Sequence, residues 1–134
     1  MKISQQRNTI SDFKIGGNGT MEHYLAEQYR EGLQAFGQLM PEALRAYNEF
    51  TSQCFSSGDL SSKHKHLQAL AISLYSGNEH CIVYHLEAAL NDGVSQKEIA
   101  ETVAVAGAFG GGTTLSHGVI LINDVMEEKQ GTIQ

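Results

Sequence analysis

The sequence predicts an all-α protein, a compact bundle of about six helices. Apolar residues recur at helical spacing along the chain after residue 20, short breaks rich in Gly and Ser separate the segments, and no segment shows the period-two alternation of a strand. With 134 residues, 41% of them hydrophobic and 18% charged, the chain can bury one ordinary globular core. We expect a polar N-terminal arm over residues 1–20, disordered or ordered against a neighbouring subunit, and a single helical domain over residues 21–134.

The first two helices are predicted from apolar spacing and from one proline. Residues 21–40 place apolar side chains on roughly one face at helical period, namely Tyr24, Leu25, Tyr29, Leu33 and Phe36. Pro41 then stands where the first turn of a helix tolerates proline. The second helix continues at the same spacing to the break at Ser56-Ser57-Gly58, through Leu44, Tyr47, Phe50 and Phe55.

The third and fourth helices are bounded by small and capping residues. The third covers residues 62–75, and its wide apolar face is suited to a buried position: Leu67, Leu70, Ala71 and Leu74, with Ile72 alongside. After Ser76-Gly77, Asn78 can cap the fourth helix, because its side-chain oxygen can accept from free N–H groups of the first turn. Gly93, which follows Asp92, is the expected left-handed residue at the end of that helix.

The last two helices are separated by a run of glycines. Ser95 and Glu98 have the spacing of a capping box, so the fifth helix is expected to begin there. Gly110-Gly111-Gly112 interrupts the pattern. The sixth helix covers residues 114–129 and carries Leu115, Val119, Ile122 and Val125 on one side.

Charge and composition restrict the partners and the compartment. The formal net charge of −6 argues against a nucleic-acid surface, which would need clustered Lys and Arg. The N-terminus lacks the apolar core of a signal peptide, and no continuous apolar run is long enough to span a bilayer. Two cysteines far apart in sequence do not form a disulfide framework. We therefore expect a cytoplasmic protein with free thiols that binds neither nucleic acid nor membrane.

The stretch NEHCIVYHLEAALNDG concentrates reactive side chains at one helix end. With Asn78 as cap, Cys81 lies in the first turn, where the helix dipole and free N–H groups favour a thiolate. His85 follows one turn later on the same face and can accept the thiol proton. The spacing therefore permits a reactive cysteine with a histidine base.

The same residues also have structural interpretations. A buried cysteine is usually a small hydrophobic residue, and a histidine in the first turn, such as His80, usually contacts solvent. Cys54 has no histidine in reach by sequence and is interpreted as structural. His117 could face a cavity or a subunit interface, although interior packing is the commoner role. The third helix carries two further histidines near its start, His64 and His66.

From about Ser62 to Val125 the chain resembles the carboxymuconolactone decarboxylase family, which includes the alkylhydroperoxidase D-like proteins. The resemblance covers the segments CIVYHLEAALNDG, SQKEIAE and the late GGG run. It implies an all-helical homo-oligomer, commonly a trimer or hexamer, with sites near subunit contacts.

The resemblance also implies roles for individual residues. In the peroxidase branch the motif is Cys-x-x-Cys-x-x-x-His with a relay Glu on the preceding helix. Cys81 matches the second Cys and His85 the His, while His80 matches a histidine found in some members. Asn78 stands where the first Cys would be, and His66 stands where the relay Glu would be. A dithiol cycle is therefore disfavoured, because disulfide exchange needs two sulfurs.

Three functions remain open at this stage. The leading one is a thiol-dependent peroxidase with Cys81 as nucleophile, His85 as base and His66 and His80 beside them, regenerated by an external thiol or by Cys54. The alternative is a cofactor-free decarboxylase of a carboxymuconolactone-like acid, with His85 as acid/base. A further alternative is a non-catalytic member, or a metal site formed by His66, Cys81 and His85. No cofactor is expected in the two enzyme hypotheses.

Overall fold

The computed structural model describes residues 21–131, so the predicted arm over residues 1–20 and the end of the predicted domain lie outside the described residues. Within this range the protein is all-α, as predicted, and contains no strand. Its five helices in chain order are α1 (Met21–Leu39), α2 (Pro41–Phe55), α3 (Ser62–Ser76), α4 (Glu79–Asn91) and α5 (Gln96–Gly131).

Helix α5 contains both the fifth and the sixth predicted helices. It is broken at Gly111, whose φ of 72° and ψ of −159° are readily adopted only by glycine. A side-chain carbon at Gly107 would meet Leu115 at 3.4 Å, so the two arms approach each other closely across the break. The predicted interruption by glycines is therefore confirmed. The sixth helix, which was expected to be separate, is the second arm of α5, beyond Gly111.

The helix ends follow the predicted caps. The side-chain oxygen of Asn78 accepts from the Cys81 N–H at 3.0 Å, which starts α4. The Ser95 N–H donates to the Glu98 carboxylate at 2.8 Å, and the Glu98 N–H donates to the Ser95 hydroxyl at 3.1 Å. Hydrogen bonds from Lys63 and from the Ser95 backbone lower the pKa of Glu98 to about 2. Lys63, at 2.8 Å, thus joins the start of α3 to the start of α5.

The core lies where α3 packs between α4 and α5. The residues that are almost completely buried come from these three helices, and they are Leu70, Leu74, Ile82, Val83, Leu86, Ala89 and Val125. Helix α1 adds Leu25 to this core, whereas α2 has no buried residue. Helices α1 and α2 therefore form an outer wall beside α3 and α4, and the space between this wall and the core is where the functional side chains meet.

Several large apolar side chains remain outside this core. Ile72, predicted beside the buried face of α3, is 69% exposed because it lies on the side that faces away from α4 and α5. Leu115 and Val119, predicted on one side of the last helix with Ile122 and Val125, are partly exposed, whereas Ile122 and Val125 are buried. The exposed apolar residues of α5 are Val105, Phe109, Leu115, Val119 and Ile120.

Helix α5 is long and apolar enough to cross a membrane by length and composition alone. This modifies the expectation from the sequence, where no continuous apolar run reached that length. The core helix of a soluble protein can have the same length and composition. In this structure α5 is broken at Gly111 and supplies Ile99, Val103 and Val125 to the core.

Candidate functional site

A cavity of about 710 Å³ lies between α1, α2, α3 and α4. All four predicted catalytic residues line it, so the fold brings His66, His80, Cys81 and His85 together. The other lining residues are Tyr29, Leu33, Tyr47, Asn48, Thr51, Ser52, Phe55, Ser56 and Tyr84. No Arg, Lys, Asp or Glu is among the described residues that line this cavity.

The two histidines of α3 and α4 form a direct pair. Nδ1 of His66 lies 3.2 Å from Nδ1 of His85, so one nitrogen carries the proton and the other accepts it. Phe55 stacks on both rings, with ring centroids 4.8 Å from His66 and 5.1 Å from His85. Tyr84 meets His85 edge-on at 5.0 Å. Aromatic packing therefore holds the two imidazoles in contact.

His85 is held neutral. Burial, and to a smaller extent the neighbouring His66, lowers the pKa of His85 from 6.5 to about 4. Burial acts because it removes water from the charged imidazolium, and His66 acts because two cations at this distance repel each other. At neutral pH His85 is consequently an unprotonated base with one ring nitrogen engaged by His66.

Cys81 lines the cavity at the N-terminal end of α4. Its side chain is exposed and its thiol is free, while its backbone N–H is taken by Asn78. In the described part of the chain, no hydrogen bond joins the Cys81 thiol to His85. The one-turn spacing thus places both residues on the same cavity, but the contact actually formed by Nδ1 of His85 is with His66.

His80 and Cys54 differ from their predicted surroundings. His80 is half-buried rather than in open solvent, and its ring centroid lies 6.4 Å from that of Tyr29. Cys54 is exposed and does not line the cavity, whereas its neighbour Phe55 does. Of the two thiols, Cys81 therefore is the one that faces the histidine pair.

His117 does not join this site. Its Nε2 lies 3.0 Å from a carboxylate oxygen of Glu79, which connects the second arm of α5 to the first turn of α4. The His117 side chain is 40% exposed, so the prediction of interior packing is wrong. The physical reason is the acidic partner, which holds the imidazole at the surface between two helices.

The predicted metal set is not assembled. Across residues 21–131, no three His, Cys, Asp or Glu side chains are placed so that they could hold a metal ion. His66 and His85 direct their Nδ1 atoms at each other, and a ligand lone pair used in that contact cannot also bind a metal. The described residues therefore do not support a metal site formed by His66, Cys81 and His85.

The aromatic wall of the cavity was missed from the sequence. In the sequence, Tyr29, Tyr47 and Phe55 are apolar positions at the helical spacing of α1 and α2, and this spacing predicts no role in a site. In the structure they face the histidines and Cys81 instead, together with Tyr84. The available signal was their chemistry, since tyrosine offers a hydroxyl as well as an apolar ring.

The fold and the site together define a class of small helical proteins. In this class a cysteine lies in the first turn of one helix and a histidine lies one turn later, and both side chains line a cavity next to the preceding helix. Residues 41–124, more than half of the chain, match the model of the carboxymuconolactone decarboxylase family. The chain belongs to this family.

The chain is similar to several known proteins in sequence or in structure. The uncharacterized protein H16_B0147 of Cupriavidus necator is 30% identical over 78 residues, which span 58% of this chain and 69% of that protein. The family protein lpg0406 of Legionella pneumophila matches 80% of this chain and 96% of its own with a TM-score of 0.74, and at 22% identity it shows the fold alone. The family protein TM1620 of Thermotoga maritima, with a suggested part in an antioxidative response, is 26% identical, with a TM-score of 0.60 over 66% of this chain and 91% of its own.

Proposed function

We propose that the protein is a thiol-dependent peroxidase of the alkylhydroperoxidase D-like type, with Cys81 as its single reacting sulfur. The observation that carries this proposal is the composition of the cavity, where a free thiol, a neutral His85 and the His66 that contacts it share walls without charged residues. Such walls suit a neutral substrate, and an organic hydroperoxide is neutral. The suggested antioxidative role of TM1620 points in the same direction.

The reaction needs a thiolate and a leaving oxygen. The sulfur of Cys81 attacks the terminal oxygen of the hydroperoxide, the O–O bond breaks, and the bonding pair leaves on the alkoxide, which takes a proton to become an alcohol. Cys81 is thereby oxidised to a sulfenic acid and the hydroperoxide is reduced. The thiol proton must first pass to a base, and His85 is one helical turn away on the same cavity.

His66 can serve as the relay from His85. When Nδ1 of His85 donates to Nδ1 of His66, the Nε2 of His85 carries a free lone pair. A proton accepted at that Nε2 can then be compensated by transfer of the Nδ1 proton to His66. This assignment keeps a charged imidazolium on His85 short-lived, as its lowered pKa requires.

Regeneration of Cys81 calls for an external thiol. One thiol condenses with the sulfenic acid to give a mixed disulfide and water, and a second thiol releases Cys81 and leaves as a disulfide. Cys54 is outside the cavity lining and Asn78 replaces the other family cysteine, which favours a small thiol or a protein thiol as reductant. The proposal therefore includes a cytoplasmic, reducing location.

The second function is a cofactor-free decarboxylase that uses His85 as acid/base. The His66–His85 pair favours it, because among the described residues this pair forms without a hydrogen bond to the Cys81 thiol. A carboxylate substrate would call for an Arg or Lys in the cavity, however. Arg30 pairs with Glu27, and Arg45 pairs with Glu42 and Glu49, all outside the lining residues.

Replacing Cys81 with serine is expected to abolish hydroperoxide reduction. We would follow consumption of cumene hydroperoxide in the presence of dithiothreitol and trap the sulfenic acid with dimedone, located by mass spectrometry. The serine hydroxyl cannot be oxidised in this way, so both turnover and the adduct should fall to background. Cys54→Ser, which changes the exposed thiol outside the cavity, should retain both.

Two results would contradict the peroxidase proposal. One is unchanged hydroperoxide turnover in Cys81→Ser, and the other is absence of a dimedone adduct on Cys81 in the unsubstituted protein. Turnover of a carboxymuconolactone-type acid that persists in Cys81→Ser but is lost in His85→Ala would instead establish the decarboxylase. If the unsubstituted protein shows neither activity, both enzyme proposals fail, and a binding or assembly protein remains.

We also propose that the protein assembles as a homotrimer or homohexamer. The exposed apolar side chains of α5 support this, since Phe109 at 85% exposure and Ile120 at 63% have no partner helix among the described residues. Sedimentation equilibrium should give a mass three or six times that of the chain. Phe109→Glu is expected to shift the protein toward monomer, and an unsubstituted protein that sediments as a monomer would contradict the proposal.

A further inference from the structure

We propose that Tyr29 is a catalytic residue that donates its hydroxyl proton to the leaving oxygen of the hydroperoxide. This inference rests on the proposed peroxidase function and assigns a role to a residue outside the cysteine–histidine motif. Tyr29 belongs to α1, whereas Cys81 belongs to α4, so the two meet only across the cavity that both residues line.

Tyr29 shares the cavity with Cys81 and lies near the start of α4. It lies close to His80, the residue before Cys81, with ring centroids 6.4 Å apart. A hydroperoxide that reaches the Cys81 sulfur from the cavity therefore enters a space that Tyr29 and the histidine pair also line. The attacking and leaving atoms lie roughly in line in such a displacement, so the leaving oxygen is directed into the cavity rather than toward α4.

The hydroxyl of Tyr29 is a proton donor at neutral pH. Burial, and then the neighbouring Tyr47, Cys81 and Tyr84, raises the pKa of Tyr29 above its ordinary value of 10. The hydroxyl therefore remains protonated at neutral pH and is available as a donor. In the resting state His85 has no additional proton to donate at neutral pH, because its pKa is about 4, and the thiol proton that it accepts passes on to His66.

The proton balance closes with these two groups. The thiol proton of Cys81 goes to His85 and on to His66, and the thiolate attacks the terminal oxygen. As the O–O bond breaks, the Tyr29 O–H bond breaks and its proton goes to the alkoxide, which leaves as an alcohol. The phenolate of Tyr29 recovers a proton from the imidazolium through water in the cavity, and the sum is thiol plus hydroperoxide giving sulfenic acid plus alcohol.

The need for this donor depends on the leaving group. An alkoxide is about as basic as hydroxide and far more basic than a phenolate, so a phenol protonates it downhill. A peracid instead releases a carboxylate with a conjugate-acid pKa of about 4, which needs no donor. A general acid therefore accelerates the first reaction and leaves the second unchanged.

The test compares two oxidants in single turnover. In a Cys54→Ser background, the rate of Cys81 thiol loss would be measured by rapid quench with an alkylating reagent, using tert-butyl hydroperoxide and peracetic acid. Tyr29→Phe is expected to slow the reaction with tert-butyl hydroperoxide about 100-fold, the range of general acid catalysis, and to change that with peracetic acid less than about threefold. Tyr75→Phe, an exposed tyrosine outside the cavity, is the matched control and should change neither rate.

The outcomes separate this inference from the function on which it rests. Equal slowing with both oxidants in Tyr29→Phe would overturn the donor role, because a disturbed cavity wall would affect both reactions. Unchanged rates with both would overturn it as well. If Cys81 of the Cys54→Ser protein reacts with neither oxidant faster than a free thiol, the peroxidase proposal itself fails, and the tyrosine donor fails with it.

Discussion

Replacing His66 with glutamate is expected to raise the pKa of His85 by about 2 units or more. The pKa of His85 is about 4 because of burial and, second, because of repulsion from His66 3.2 Å away. The substitution removes this repulsion and adds a carboxylate, and an opposite charge at such a distance favours the imidazolium. An imidazole whose pKa is close to neutral pH accepts the thiol proton more readily than one whose pKa is about 4. Formation of the Cys81 sulfenic acid should therefore accelerate at pH 7.

The pKa of His85 can be followed by NMR titration of its ring protons. His66→Gln is the matched control, because it removes the repulsion without adding a charge, and we expect its effect on the pKa to be clearly smaller. A pKa that stays near 4 in His66→Glu would show that burial alone sets the basicity of His85. The proposed relay would then lose its electrostatic basis.

The same pKa shift affects folding stability. Because the pKa of His85 is about 4 in the folded protein and near 6.5 when unfolded, the unfolded state binds more protons between these values. Neutral His85 thus contributes stability above about pH 6.5 that is lost as the pH falls to about 4, at most about 2 kcal/mol since the ring is half-exposed. Urea unfolding at both ends of this range should show a smaller loss in His66→Glu than in the unsubstituted protein.

Replacing Asn78 with cysteine is expected to change how the sulfenic acid is resolved. The substitution restores a Cys-x-x-Cys spacing with Cys81 at a helix N-terminus, so the new thiol at position 78 can condense with the sulfenic acid of Cys81 and release water. In a Cys54→Ser background, hydroperoxide should then produce an intramolecular disulfide within this helix turn. The dimedone adduct on Cys81 should fall to a small fraction of its level in the Asn78 protein.

The loss of the cap must be separated from the gain of the thiol. Asn78 accepts from the Cys81 N–H at 3.0 Å, and removing this bond costs about 1 kcal/mol of helix stability. Asn78→Ser retains a capping oxygen but adds no sulfur, so its dimedone adduct should be undiminished. An adduct equally strong in Asn78→Cys would mean that the two positions do not meet, contrary to the family motif.

Local features of the site could be predicted because they depend on neighbours in sequence. The cap at Asn78, the capping box of Ser95 and Glu98 and the break at Gly111 all follow from preferences that act within a few residues. The common face of Cys81 and His85 follows equally from the one-turn spacing of a helix. Exposure of Ile72 and of His117 could not be predicted, since it depends on which neighbouring helix covers each face.

The sequence by itself determined an all-helical chain and a helix that begins with Cys81 and His85 in register. Only the tertiary structure decided that Nδ1 of His85 contacts His66, which lies on another helix, and that Phe55 and Tyr29 complete the cavity from α2 and α1. The physical reason is that helix spacing is set by the backbone, whereas contacts between helices are set by the packing of the shared core. The pKa of His85 depends on these contacts between helices, and so does the chemistry that Cys81 can perform beside it.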